Sequence, residues 1–162
     1  MTTQPEPYLI NKTDWPEGPW MHEPDRVDFS HAGFPCLALR NSLGAWCGYV
    51  ALPPEHRLHG VEYMDIEDDL DVHGRLTYSS LCAEAICHVP EPGQPDNVWW
   101  LGFDCGHSGD LIPATLKIMR EVRRANPLPA ALMPWDRLLR DRYRDLAYVQ
   151  DETRKLAEQL KV

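Results

Sequence analysis

The chain has 162 residues, 43% of them hydrophobic, and a formal net charge of −9. This length fits a single domain, and the absence of any run of 18 apolar residues excludes a membrane-spanning helix. Residues 1–105 carry 17 acidic and 5 basic residues, and residues 106–162 carry 8 and 11. This acidic balance disfavours binding to duplex nucleic acid, whose affinity comes largely from Lys and Arg at phosphates.

The cellular location is predicted from the first residues and from the cysteines. The sequence begins MTTQPEPYLINK, without the basic start and apolar stretch of a secretion signal, so we expect a cytoplasmic protein. Five cysteines are an odd number in a chain large enough to bury a core. We therefore expect all five to be reduced thiols.

Residues 1–35 are predicted to form an irregular, proline-rich arm. Six prolines stand in this segment, and proline fixes φ and removes a backbone donor, which excludes long helices and central strands. Because Trp15, Trp20 and Phe29 are apolar, we expect the arm to lie against the rest of the fold. The remaining residues, 36–162, are predicted to form one domain.

The next segments favour β-strands. Cys36–Leu52 contains two β-prone runs joined by Asn41-Ser42-Leu43-Gly44, which predicts a β-hairpin. Residues 76–80 and 83–89 suggest one or two further strands, a proline-rich loop follows at 90–95, and Val98–Phe103 is the strongest strand signal. Four or five strands without intervening helices indicate an α+β fold with a single antiparallel sheet.

Two C-terminal helices complete the predicted fold. The first begins near Pro113 and ends before Asn126-Pro127. The second is predicted to begin near Asp136, as its N-cap, and to carry one apolar stripe. That stripe comprises Leu139, Tyr143, Leu146, Val149, Leu156 and Leu160. It is interpreted as core packing or as the seam of a homo-oligomer.

The segment from Asp104 to Asp110 is the main candidate site. It places two carboxylates, the Cys105 thiol and the His107 imidazole between a buried strand and the start of a helix. Such a position supplies backbone N–H groups and a positive dipole end, and sites are often placed on loops of this kind. The structural alternative is that Asp104 and Asp110 only cap the turn and the helix.

A second candidate segment surrounds His73. Together with Asp104, Cys105 and His107 it offers catalytic residues for two kinds of chemistry. The imidazole, thiolate and carboxylate groups are all zinc ligands, although their spacing matches no known zinc motif. Without metal, Cys105 could act as a nucleophile with a histidine as its base.

A third interpretation is a binding pocket without catalysis. The candidate ligand-binding residues are Arg75, Thr77, Tyr78, Trp100 and Asp110. Lys117, Arg120 and Arg124, with Arg75, are candidates for contact with an anionic partner, and Trp99, Trp100 or Tyr78 could stack on a ring. Each of these cations taken singly also fits a solvated helix surface.

Several of these segments together resemble a family of small, uncharacterised bacteriophage and prophage proteins. They are Trp46–Val50, the HGRLTY segment at 73–78, the WWLGFDCGHSGD segment at 99–110 and Tyr143–Val149. The resemblance covers about residues 44–110 and the last helix, but not the arm. Arg75 departs from the family pattern, which has glycine there. The resemblance implies a phage origin and an accessory, non-structural role, without a known activity.

Two hypotheses about function follow. The first is a phage accessory protein, in the host cytoplasm, that binds a small polar or nucleotide-like ligand and sequesters a host signal or masks a host protein. The second is a small metal- or thiol-dependent hydrolase that acts on such a ligand. Both require His73 to lie beside the Asp104–Asp110 segment in the fold.

Overall fold

The computed structural model describes residues 7–88, 96–125 and 141–162. Within these ranges, five strands form one antiparallel sheet in the order β1-β2-β3-β5-β4. The strands are β1 Arg26–His31, β2 Phe34–Arg40, β3 Trp46–Leu52, β4 Tyr78–Ser80 and β5 Trp99–Asp104. The α-helices of the described ranges are α1 Pro113–Ala125 and α2 Leu146–Gln159. The predicted α+β fold with a single antiparallel sheet is confirmed.

Strands β2 and β3 form the predicted hairpin. The Asn41 side chain accepts hydrogen bonds from the backbone N–H groups of Leu43 and Ala45, at 3.1 and 3.0 Å. Gly44 has a φ of +97°, which glycine adopts without steric cost. Asn41 and Gly44 thus stabilise the turn between the two strands, as the sequence pattern predicted.

The sheet carries apolar side chains on both faces. One face packs against α2, whose buried Val149 and Leu156 belong to one cluster with strand residues such as Val50 and Leu101. The opposite face has its own buried cluster of Leu37, Leu39, Cys47, Tyr49, Ala51, Val98 and Trp100. The strands β2, β3 and β5 are therefore buried on both sides, which explains why these three contain few polar residues.

Strand β1 lies inside the segment that was predicted to be irregular. It pairs with β2 through the two-residue turn Ala32–Gly33, both with positive φ. A proline-rich segment can contain this strand because β1 lies at the edge of the sheet. Pro35 lies in β2 before its paired stretch with β3 begins at Cys36, so no donor is lost from that ladder.

The described part of the arm packs on the rest of the chain through a buried charge cluster. Arg40 of β2 is fully buried and donates to Asp25 and Glu23 of the arm, at 2.8 and 3.3 Å. It also donates to the Tyr143 hydroxyl at 2.8 Å, and its guanidinium lies 4.5 Å from the Trp46 ring. Charged groups this deep are tolerated because each one has partners.

Helix α1 has the predicted limits, but α2 begins later than predicted. Asp136 and Leu139 lie outside the described residues, as does the proline-rich loop at 90–95. Residues 141–145 are not helical, and the N-cap is Asp145, whose side chain accepts from the Tyr148 N–H at 2.9 Å. Arg142 is instead bridged to Asp110 by backbone hydrogen bonds, which excludes a helix there.

Three residues of the predicted stripe, Val149, Leu156 and Leu160, are buried within the chain and belong to its core. In the described residues, no helix is long and apolar enough to cross a membrane.

The prediction of five reduced thiols is wrong for two cysteines. Cys82 and Cys87 form a disulfide, while Cys36, Cys47 and Cys105 are free and buried. Arg26 donates to the carbonyl oxygens of Ala85 and Cys87, at 2.5 and 2.6 Å. These contacts fasten the disulfide loop to the edge strand.

Candidate functional site

The polar bend, residues 105–110, connects the end of β5 to α1. The Cys105 N–H donates to the Trp46 carbonyl at 2.9 Å, which extends the pairing of β5 with β3. The Asp110 N–H donates to the His107 carbonyl at 3.0 Å, and Gly109 has a φ of +95°. The next residue, Leu111, donates to the Arg142 carbonyl at 2.9 Å. The bend is thus held by backbone hydrogen bonds at both ends.

Asp110 is the centre of a hydrogen-bond network. Its side chain is only 2% exposed. The carboxylate accepts from His73 Nε2 at 2.8 Å, from the His107 N–H at 3.0 Å and from Arg144 Nε at 3.1 Å. Three donors, one of them a guanidinium, compensate the cost of burying this charge.

His73 is brought to the polar bend, as both functional hypotheses required. Because a carboxylate only accepts, Nε2 carries the proton toward Asp110, and Nδ1 lies 2.7 Å from the Tyr148 hydroxyl. The His73 N–H donates to Glu152 of α2 at 3.0 Å. His73 therefore connects the bend to α2, and both of its ring nitrogens are occupied.

His107 packs on the backbone of the His73 segment. A Cβ placed on Gly74 would lie 2.2 Å from His107 Cδ2, so only glycine fits at this position without a shift. Gly74 and Arg75 have φ values of +65° and +70°. Arg75 therefore stands in a backbone region that favours glycine.

Asp104 joins the same group of residues from the end of β5. Its carboxylate accepts from Thr77 Oγ1 at 3.0 Å and from the Gly106 N–H at 2.9 Å. It also lies 3.3 Å from His107 Nε2, within ion-pair distance but without hydrogen-bond geometry. Asp104 and Asp110 do cap the turn, as the structural alternative predicted, but each also binds a residue from the 73–77 segment.

A cleft of about 440 Å³ opens beside the bend. Among the described residues it is lined by Gly106, His107, Ser108, Gly109, Asp110, Leu111, Ile112, Thr115, Leu116, Met119 and Asp141. One wall is polar backbone and side chain, and the other is the apolar side of α1. Burial, and then the charge of Asp110, raise the pKa of the Asp141 carboxyl above its usual range. His73 does not line this cleft but lies behind Asp110.

Cys105 does not fit the role of a nucleophile. Its side chain belongs to the core cluster under α2. Burial, with the nearby charges of Asp110 and Asp104, raises the pKa of this thiol far above its ordinary value. A reactive cysteine needs a lowered pKa and access to solvent, and Cys105 has neither.

Two of the predicted ligand-binding residues lie away from the bend. Trp100 is buried in the apolar cluster on the sheet face opposite α2, and Tyr78 packs there against Tyr49. Arg75 is exposed at the turn after Gly74. Of the predicted ligand-binding set, Thr77 and Asp110 are within the group of residues at the bend, and only Asp110 lines the cleft.

The proposed zinc ligands do not form a metal cage. In the parts of the chain that the structure describes, no group of three or more His, Cys, Asp or Glu side chains is arranged to hold a metal ion. Asp104, His107, His73 and Asp110 are instead paired two by two through hydrogen bonds and ion pairs. This donor set does not fit the four ligands of a structural zinc site.

Sequence reasoning missed Arg144, Tyr148, Glu152 and Asp141. Arg144 and Tyr148 lie within the segment that was predicted to be helical from Asp136 onward, and a helical pattern does not show that they meet the polar bend. Asp141 has no local pattern that distinguishes it from other surface acids.

Comparison of the chain with models of protein families, with curated proteins and with solved structures finds no significant match. Any inference about the function of the site therefore has to come from its geometry and from the sequence.

Proposed function

We propose that this chain is a binding protein whose cleft, between the polar bend and α1, holds a small polar or nucleotide-like ligand. The observation that carries the proposal is the cleft of about 440 Å³ with one polar and one apolar wall. Ligand sites typically combine a volume of about 300–1,000 Å³ with apolar walls and a few fixed polar groups.

Rigidity of the polar wall supports binding. The bend is held through Asp110, which accepts hydrogen bonds from residues of three chain segments. A wall that does not have to be ordered on association loses less entropy when the ligand binds.

The chemistry of the lining favours a ligand with a flat ring and N–H donors. Leu116 and Met119 offer apolar contact, and the Asp141 and His107 side chains offer hydrogen-bonding groups at the other wall. A nucleobase has both properties. The acidic Asp141 disfavours a ligand whose negative charge enters the cleft.

Binding is preferred to catalysis because the residues of the catalytic hypothesis are occupied or buried. Both ring nitrogens of His73 are hydrogen-bonded, and the Cys105 thiol is buried with a raised pKa. A general base needs a free nitrogen within reach of its substrate. The Nε2 atom of His107 makes no hydrogen bond, but it is buried against the Gly74 backbone rather than open to a substrate. The hydrolase hypothesis is therefore an outcome of the test.

The role proposed for this binding is that of a phage accessory protein in the host cytoplasm. Support comes from the resemblance of residues 44–110 to small phage proteins. Such a protein would sequester a nucleotide-type host signal and so counter host defence. It would release its ligand unchanged.

The test is calorimetric titration of the full chain with nucleosides, nucleoside monophosphates and cyclic dinucleotides. Thr115→Trp fills the cleft, whereas Ile118→Trp adds the same side chain to an exposed position of α1 outside the cleft. We expect Thr115→Trp to weaken binding by about tenfold or more, and Ile118→Trp to leave it within about twofold. Circular dichroism checks that both variants remain folded.

Three outcomes would contradict the proposal. No member of the panel binds, or the two tryptophan variants weaken binding equally, or the recovered ligand is chemically changed. The last result, detected by chromatography of the ligand after incubation, would instead establish the hydrolase.

A further inference from the structure

A second groove, of about 310 Å³, lies between the arm and α1. Among the described residues it is lined by Thr13, Asp14, Trp15, Pro16, Lys117, Arg120, Glu121 and Arg124. The three cations of this set are those that the sequence singled out on the first helix for an anionic partner. The fold brings them to one groove, which the binding function proposed above does not use.

The arm side of the groove is held by local hydrogen bonds. The Asn11 side chain accepts from the N–H and the hydroxyl of Thr13, at 3.0 and 2.6 Å. The Trp15 N–H donates to the Lys12 carbonyl at 3.0 Å, which closes a turn. Trp15 itself is buried, so it forms the floor of the groove rather than a free ring.

The helix side is fixed to the same part of the fold. The Ala114 N–H donates to the Leu43 carbonyl in the β2–β3 turn at 3.1 Å. A Cβ placed on Gly44 would meet both Pro113 of α1, at 2.9 Å, and Trp15 of the arm, at 3.0 Å. The β2–β3 turn therefore positions both walls, and the groove exists before any ligand arrives.

Two guanidinium groups in the groove are available for an anion. Lys117, Arg120 and Arg124 are spaced i, i+3, i+7 and so share one face of α1. Lys117 is paired with Asp14 at 3.4 Å and with Glu121 at 3.9 Å. Arg120 and Arg124 make no ion pair or hydrogen bond with any residue that the structure describes.

We propose that this groove binds a phosphate-type anion, held by Arg120 and Arg124. Guanidinium forks bind the oxygens of a phosphate in a bidentate manner, and Lys117 adds positive charge beside them. Asp14 and Glu121 oppose binding, which leaves the lining with an excess of one positive charge in a chain whose net charge is −9. The site is distinct from the cleft, because Thr115 and Met119 of the cleft lie on another side of α1.

The test is an NMR titration of the full chain with inorganic phosphate, with sodium chloride used to keep the ionic strength constant. We expect saturable shifts of backbone amides in residues 13–16 and 117–124. The variants Arg120→Gln and Arg124→Gln should each weaken the affinity by about tenfold. Arg123→Gln is the matched control, because it removes the same charge from the same helix outside the groove.

Parallel titrations separate the sources of the phosphate group. Methyl phosphate tests a bare phosphate ester, and a nucleoside monophosphate tests whether a base adds affinity. Equal weakening by Arg123→Gln, or shifts that do not saturate, would show general charge attraction and overturn the proposal. Thr115→Trp should leave phosphate binding unchanged, so a failure of the cleft and a failure of this groove are distinguishable.

Discussion

Asp110 shows how a single side chain organises the candidate site. Its carboxylate is buried and receives hydrogen bonds from His73, His107 and Arg144, which belong to three different parts of the chain. Removing one donor leaves a buried charge with fewer partners, which is costlier than removing an exposed ion pair. The site is therefore more sensitive to these residues than to exposed ones such as Arg75.

Gly74 offers a test of how closely His107 packs on the backbone. Gly74→Ala adds the cost of an alanine at positive φ, about 1 kcal/mol, and also a collision with the His107 ring. We expect the free energy of unfolding to fall by about 2–4 kcal/mol, measured by urea denaturation.

Gly60→Ala is the matched control for this substitution. Gly60 also has a positive φ, of +82°, but an added Cβ there would have nothing within 4 Å. It should lose only about 1 kcal/mol. Equal losses in the two variants would mean that His107 does not restrict position 74.

At the scale of residues, the sequence predicted which side chains lie close together more accurately than it predicted which side chains are exposed to solvent. The sequence placed His73, Thr77, Asp104 and Asp110 together as candidates, and the structure joins His73 to Asp110 and Thr77 to Asp104 by hydrogen bonds. Trp100 was misassigned because the β5 strand is apolar on both faces, so its sequence does not show which face a side chain occupies. Burial of Cys105 likewise depends on α2, which lies 40 residues further along the chain.

At the scale of elements, capping residues set the limits of α2. The sequence predicted Asp136 as the N-cap, followed by an apolar stripe that extends to Leu160. Asp145 is the N-cap in the structure because the backbone at Arg142 is committed to the polar bend. Such a long-range backbone pairing leaves no signal in local periodicity.

The N-cap is testable by one substitution. Asp145→Ala removes the acceptor for the Tyr148 N–H at the first turn of α2, and we expect a loss of about 1 kcal/mol in the free energy of unfolding. The loss should be accompanied by faster amide exchange at Tyr148 in NMR. Asp151→Ala is the control, since Asp151 is exposed and, among the residues that the structure describes, pairs with Arg154 alone. It should change stability by about 0.5 kcal/mol or less.

Strand prediction depended on the turns. The Asn-Gly signal of the β2–β3 turn was strong, and the hairpin was predicted correctly. The β1–β2 turn is shorter, with only Ala32 and Gly33 between the strands and both at positive φ. Alanine is an unusual residue for such a turn, and the neighbouring prolines favoured an irregular arm. The alternation of Val27 and Phe29 with polar residues was the remaining sign of β1.

At the scale of the whole molecule, the buried free thiols make the free energy of unfolding depend on pH in the alkaline range. Burial raises the pKa of Cys36 and of Cys47 from 9.0 to about 12, and raises that of Cys105 as well. The unfolded chain therefore loses thiol protons above about pH 9, while the folded chain keeps them. The contribution of these neutral thiols to stability is fully present below pH 9 and is lost as the pH rises toward 12.

We expect the free energy of unfolding to fall between pH 9 and pH 12, by up to about 1.4 kcal/mol per pH unit for each thiol. Urea denaturation at several pH values measures this slope. Cys36→Ala should reduce this slope by the contribution of one thiol. That reduction is independent of any effect of the substitution on stability at neutral pH. An unchanged slope in this variant would show that Cys36 does not contribute.

The charge cluster around Arg40 decides where the chain can be shortened. The cation is shielded from water, and the two carboxylates that neutralise it, Glu23 and Asp25, come from the segment that was predicted to be an irregular arm packed on the fold. A truncation that starts at residue 36 would remove both anions together with the edge strand. The N-terminal segment is thus needed for local electroneutrality inside the molecule, and any shorter fragment has to keep it.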